Sequence, residues 1–311
     1  MASVKDVCVR LPRDEKRGLS RIHGSRYVMS LSPVQPPFST EPEVPSIDPL
    51  DNGEANSALH ADGLADVEDW TAAKVLVEHL FARATHDITG IEYAVGYRLA
   101  HGLTGGDIVD VYHFDNGAVS FSIADISGKG SQAAVHAALV KYGLRAYASQ
   151  GLTAERVLRS LDRLYIENTT FERIESFASV FFGVVDSSRR TLTYASGGHE
   201  AAAILIPGEP PRLLEPTAPL IGVFDDQHHL FKQAHVELPP GAMLVATTDG
   251  ITEARSPSGE FFGVDGFLRV VQEYAEASTE QMIQALLDQS AAHAGTRAIR
   301  DDIAVLATRF T

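Results

Sequence analysis

The sequence predicts an α+β fold in which antiparallel sheets are covered by helices. Two observations carry that expectation. Blocks of short apolar runs joined by tight turns are interrupted by pairs of amphipathic segments, and the strict strand–helix alternation of a parallel sheet is missing. With 44% hydrophobic side chains over 311 residues, the chain can bury a substantial core. It contains no internal repeat.

Residues 1–69 stand apart from the rest. Ser32-Pro33-Val34-Gln35-Pro36-Pro37 and Glu41-Pro42-Glu43-Val44-Pro45 are punctuated by proline and carry no apolar period. Such a segment buries too little apolar surface to offset its ordering entropy, so a disordered tail is expected. A linker helix is expected over 70–88, because Ala73, Leu76, Val77, Leu80, Phe81 and Ala84 recur at helical spacing. Its 70–84 stretch packs on the next domain or pairs with its own copy in a homodimer.

The remaining domain, 89–311, opens with three strands: Glu92 to Ala100, Val109 to Phe114 and Ala118 to Ala124. Asp115-Asn116-Gly117 marks a hairpin between the last two, since Asn-Gly accepts the positive φ angles of a tight turn. An alanine-rich helix follows from Ser131 to Ser149. A second comes after Thr153, with Val157, Leu158, Leu161 and Leu164 as its stripe. The second strand block comprises Phe177 to Val185, Thr191 to Ala195, Ala201 to Ile206, Leu230 to Leu238 and Ala242 to Thr247. Helices return at Val264 to Tyr274 and Thr279 to Ala292, the latter opened by Ser278 and Gln281 at capping-box spacing. Ile303 to Phe310 is the closing strand.

Composition excludes several classes of function. A net charge of −15 without a basic stretch repels polyanions, so nucleic acid is not expected as a partner. The single cysteine, Cys8, rules out an intrachain disulfide and thiolate zinc sites. No apolar run reaches the roughly 20 residues that span a bilayer, and Met1 to Arg10 lacks the apolar core of a secretory signal. A cytoplasmic protein without membrane attachment is the expectation.

Four acidic stations punctuate the elements: Gly105-Gly106-Asp107, Asp125-Ile126-Ser127-Gly128, Thr248-Asp249-Gly250 and Asp301-Asp302. One aspartate at a strand end is usually turn punctuation. Four together, flanked by glycine or doubled, form a constellation. Ser127-Gly128-Lys129-Gly130-Ser131 invites a phosphate-loop reading, but Ile123 and Gly130 occupy places where that pattern needs Gly and Ser or Thr. Hard oxygen donors without sulfur or imidazole favour Mg²⁺ or Mn²⁺ over zinc. Two such ions about 3.5–4 Å apart share a bridging water, lower its pKa and clamp a phosphoryl group. They also relieve the repulsion among clustered aspartates.

Thr104-Gly105-Gly106-Asp107-Ile108-Val109-Asp110, Ala124-Asp125-Ile126-Ser127-Gly128-Lys129-Gly130, Gly197-Gly198-His199, Thr248-Asp249-Gly250-Ile251-Thr252-Glu253-Ala254 and Asp301-Asp302-Ile303-Ala304-Val305 occur in that order. Together they resemble the stage-II-sporulation-E-type serine phosphatases, the bacterial branch of the metal-dependent type 2C protein phosphatases. Pro219-Leu220-Ile221-Gly222 and Phe261-Phe262-Gly263 extend the likeness, which covers about residues 76–310.

The resemblance implies a β-sandwich flanked by helices, with two Mn²⁺ or Mg²⁺ ions at one end. It implies hydrolysis of phosphoserine or phosphothreonine on a protein, with an anti-anti-sigma factor as the expected substrate. By analogy Asp107, Asp125, Asp249 and Asp301 bind metal, and Ile126 lends its backbone carbonyl. Asp110 and Asp302 are candidates for an additional metal ligand, and His199 is a candidate general acid. Ala304, Val109 and Glu200 depart from the family's usual Thr, aromatic and Asn at those places. The alternative expectation is a phosphatase-like scaffold that binds a regulatory partner without turnover.

Overall fold

The computed structural model describes residues 27–29, 88–98, 105–128, 130–172, 175–186, 190–224, 228–295 and 301–311. The 70–84 helix with its homodimer seam, Cys8, Lys129 and most of the 1–69 tail lie outside these residues. Within the stretch expected to lack structure, Tyr27–Met29 forms a short strand, β1.

Strands β2 (Ile91–Arg98), β3 (Ile108–His113) and β4 (Val119–Ile126) lead into helices α1 (Gly130–Ser149) and α2 (Ala154–Glu172). Strands β5 (Ala178–Asp186), β6 (Thr191–Gly197), β7 (Ala202–Leu205), β8 (Arg212–Leu213), β9 (Ala234–Glu237) and β10 (Met243–Thr247) follow. The single turn α3 (Asp249–Thr252), helices α4 (Gly263–Glu273) and α5 (Thr279–Ala294), and strand β11 (Ile303–Phe310) complete the chain. One sheet runs β1-β2-β11-β10-β7-β8 and the other β3-β4-β5-β6-β9. Among the described residues only the β1–β2 pair is parallel.

Alternation along the strands divides the core into three layers. In β4, Val119, Phe121 and Ile123 face the other sheet, where they meet Tyr93, Leu244, Leu306 and Phe310. Ala124 and Ile126 point the other way, onto Ala137, Val140, Leu158 and Leu161 of α1 and α2. Met243, Val245, Ile303 and Val305 similarly face Phe267, Val270, Ile283 and Leu286 of α4 and α5. The result is a helix–sheet–sheet–helix sandwich, as the sequence predicted. Central strands covered on both faces explain why β10 and β11 read as unbroken apolar runs.

Local chemistry sets the turns and caps. The β3–β4 hairpin closes through Gly117 at φ 83°, whose amide donates to the Phe114 carbonyl at 2.9 Å. Ser278 and Gln281 form the expected capping box at the start of α5. The Leu230 to Leu238 strand is shorter than expected. His228–Leu230 is a 3₁₀ turn, and only Ala234–Glu237 pairs with β6. The reason is a change of layer: Phe231 packs toward α1 and α2, whereas Val236 and Leu238 enter the space between the sheets.

Candidate metal centre

Antiparallel pairing brings the acidic stations to one end of the sandwich. Asp107 immediately precedes β3, and Asp125 lies near the end of β4, where Ile108 pairs with Ala124. Asp249 follows β10 and Asp301-Asp302 precede β11, which is paired to β10 through Thr247 and Val305. One side chain joins the two sheets there. The Thr248 hydroxyl donates to Asp107 Oδ2 at 2.6 Å and accepts the Ala304 amide at 2.8 Å. Thr248 is fully buried and Asp107 nearly so.

The carboxylates repel one another. Burial, then the charge of Asp125, holds Asp107 well above the usual carboxylate range, against the opposing effect of the Thr248 hydrogen bond. Burial, then Asp301, lifts Asp125 to about 6, while a hydrogen bond from Asp107 partly offsets the rise. Asp249 stands at the mouth of the cluster and its surface is open to solvent. Enough protein still surrounds its carboxylate that lost hydration, then Asp125, Asp301 and Glu253, raise it to about 7. Asp302 adds to the repulsion felt by Asp107 and Asp125.

This is proximity rather than a finished coordination shell. Among the described residues no three Asp, Glu, His or Cys side chains stand ready to enclose an ion. The chemistry of the donors nevertheless fits Mg²⁺ or Mn²⁺, since every charged group is a hard oxygen ligand and the charge they share is unfavourable without a cation. Two glycines let backbone oxygens approach. A side chain at Gly106 would overlap the Ile126 carbonyl, and one at Gly250 would overlap the Asp302 carbonyl.

Two candidates do not join the cluster. Asp110 points from β3 to α1, where Arg145 grips both its oxygens at 2.6 Å and buried Lys141 approaches to 3.4 Å. Its charge is neutralised there, so it is not available as an extra metal ligand. His199 is enclosed at 2% exposure, with Nδ1 3.1 Å from the Ser179 hydroxyl. Nε2 closes no hydrogen bond, although the nearby Thr247 carbonyl slightly favours the charged ring. Burial pushes its pKa down to about 4, so it carries no acidic proton at neutral pH and does not suit the general-acid role.

The glycines beside His199 serve the fold. Gly198, at φ 66°, donates to the Ala218 carbonyl at 3.1 Å, and a side chain there would collide with Leu220. Two of the departures from the family pattern, Ala304 and Val109, are absorbed by packing in the core between the sheets, whereas Glu200 is exposed. Two residues quoted in the sequence motifs were given no role there: Thr248, whose partner lies 141 residues away, and Glu253, whose charge acts on Asp125 and Asp249. A cleft of about 490 Å³ beside Leu205, Gln272 and Arg309 lies at the opposite end of β10 and takes no part in this site.

Comparison with known proteins agrees with this architecture. The Stage II sporulation protein E (SpoIIE) family profile matches residues 115–311. Phosphoserine phosphatase RsbU of Bacillus subtilis is 28% identical over 182 residues, covering 58% of this chain and 52% of that protein. Protein IcfG of Synechocystis sp. is 26% identical over 226 residues, 65% of this chain and 35% of IcfG. The chain thus spans about a third to a half of the length of these curated relatives. Among solved structures, the SiaA-PP2C domain of Pseudomonas aeruginosa superposes with a TM-score of 0.68 at 19% identity, covering 82% of this chain and all of that domain. RsbX in complex with magnesium gives 0.54 at 16% identity, covering 73% of this chain and 98% of RsbX. These superpositions establish a shared fold, and the profile match over more than half the sequence shows that this chain belongs to the SpoIIE family.

Proposed function

We propose that the 89–311 domain is a metal-dependent phosphoprotein phosphatase. It hydrolyses phosphoserine on a small regulatory protein of the anti-anti-sigma type. The observation that carries this reading is the gathering of Asp107, Asp125, Asp249, Asp301 and Asp302 at one end of the sandwich, where burial and the neighbouring charges raise the pKa values of Asp107, Asp125 and Asp249. The name of the RsbU relative and the magnesium bound by RsbX support the same chemistry.

Asp107, Asp125, Asp249 and Asp301, with the Ile126 carbonyl, would hold two Mn²⁺ or Mg²⁺ ions, and Asp302 is the candidate for a further contact. Such ions supply an acidified water as nucleophile and neutralise charge on the phosphoryl group. The protein's own part is positional. Thr248 fixes the Asp107 carboxylate and ties it to the start of β11. Gly106 and Gly250 keep backbone oxygens against the site. His199, neutral and enclosed, braces β6 against β5 through Ser179.

The test is dephosphorylation of small phosphoserine-bearing anti-anti-sigma-type proteins by the full chain. Phosphate release with Mn²⁺, abolished by a chelator, is the expected result. Tight binding of the phosphoprotein with no release in Mn²⁺ or Mg²⁺ would establish the scaffold alternative instead.

A further inference from the structure

We infer that Ser176 is a positioning residue that aims the Ile126 carbonyl at the acidic cluster, an inference that rests on the metal-centre reading above. The argument begins with one peptide unit. A trans peptide directs its N–H and C=O to opposite sides, and no cis bond occurs among the described residues. The Ser127 amide donates to the Phe177 carbonyl at 2.9 Å, so the Ile126 carbonyl of the same peptide is turned away from Phe177. On that other side stands Gly106, where even a Cβ would overlap the Ile126 oxygen, next to Asp107. The Phe177 amide completes the exchange by donating to Ser127 Oγ at 2.9 Å.

The Ser127 side chain is held in turn by a buried hub. Ser176 Oγ lies 2.7 Å from the Tyr165 hydroxyl, 3.2 Å from His136 Nδ1 and 3.4 Å from Ser127 Oγ. A hydroxyl offers one proton and two lone pairs. One assignment uses all three: Ser127 and Tyr165 donate to Ser176, and Ser176 donates to Nδ1. Ser176, Tyr165 and His136 are all buried, so bulk water does not readily replace these bonds. His136 belongs to α1 and Tyr165 to α2, with ring centroids 5.4 Å apart. The hub therefore anchors the end of β4 to both helices.

Removing a group that orients a metal ligand typically costs 10–100-fold in metal affinity. The experiment measures Mn²⁺ affinity of the full chain by titration calorimetry, alongside its melting temperature in chelator. Ser176→Ala is expected to bind Mn²⁺ about tenfold more weakly. Ser176→Thr, which keeps the hydroxyl, should recover most of the loss, and Tyr165→Phe, which removes one arm, should lose less. Unchanged affinity in Ser176→Ala overturns the inference, as does an equal loss in the Ala and Thr variants, which would assign Ser176 to packing. Should Ser176→Ala fail to fold, undiminished affinity in Tyr165→Phe overturns it. An unmodified chain that binds no Mn²⁺ overturns the metal reading itself, a result distinct from weak binding confined to the variants.

Discussion

Asp125 shows how one carboxylate couples stability to pH. Without a bound ion its pKa stands at about 6, above the value of 3.8 expected for an unstrained aspartate. Between those values the folded protein keeps a proton that the unfolded chain has released. Its contribution is therefore intact below about pH 4, declines as pH rises through about 6, and becomes a full penalty above that. Asp249, at about 7, extends the decline to higher pH. In chelator, Asp125→Asn should match the unmodified chain near pH 4 and exceed it at pH 8. The gain should be on the order of 1–2 kcal/mol once solvent on the open side is allowed for. A denaturant series at several pH values checks this, and a gain that is the same at every pH contradicts it. Thr248 makes a second prediction at this scale. Thr248→Val leaves the buried Ala304 amide without its partner and frees Asp107 to rotate, costing about 1–3 kcal/mol. Thr248→Ser should restore both stability and Mn²⁺ affinity in the same denaturation and titration experiments.

At the scale of elements, Asp110 separates structural charge from metal-binding charge. It pins α1 to β3 through Arg145 and the buried Lys141, while the Arg145 guanidinium lies 4.5 Å from the Tyr112 ring centroid. Asp110→Ala would remove the carboxylate that both cations share, a loss of about 3–5 kcal/mol by the usual cost of breaking a buried pair. Mn²⁺ affinity of the folded fraction should be unchanged, and tenfold weaker binding would return Asp110 to the metal site. From the sequence, Asp110 looked like its acidic neighbours, because the partner that claims it lies 35 residues on. The aspartates of the site were legible because each sits where an apolar strand begins or ends. Thr248 and Glu253 were not, since their roles depend on which strand ends meet. β11 was read with its observed limits because the unbroken apolar run Ile303 to Ala307 starts straight after Asp302 and the strand ends on Phe310. The two-residue edge strand β8 and the single turn α3 are too short to show a period.

Across the whole molecule, two sheets converge so that β4 and β10 end, and β3 and β11 begin, at the same edge. Packing fills the opposite faces with α1 and α2 on one side and α4 and α5 on the other. A chain with a net charge of −15 thus concentrates part of that charge where a divalent cation would relieve it. No described helix is long and apolar enough to cross a membrane. The most direct measurement is the rate of chromogenic phosphate ester hydrolysis by the full chain, with Mn²⁺ and with chelator, beside Asp249→Asn. Hydrolysis should require Mn²⁺ and fall at least about 100-fold in the variant, beyond the range typical of a ligand's supporting partner. Equal rates in the two proteins, or activity undiminished by chelator, would contradict a metal centre built from these carboxylates.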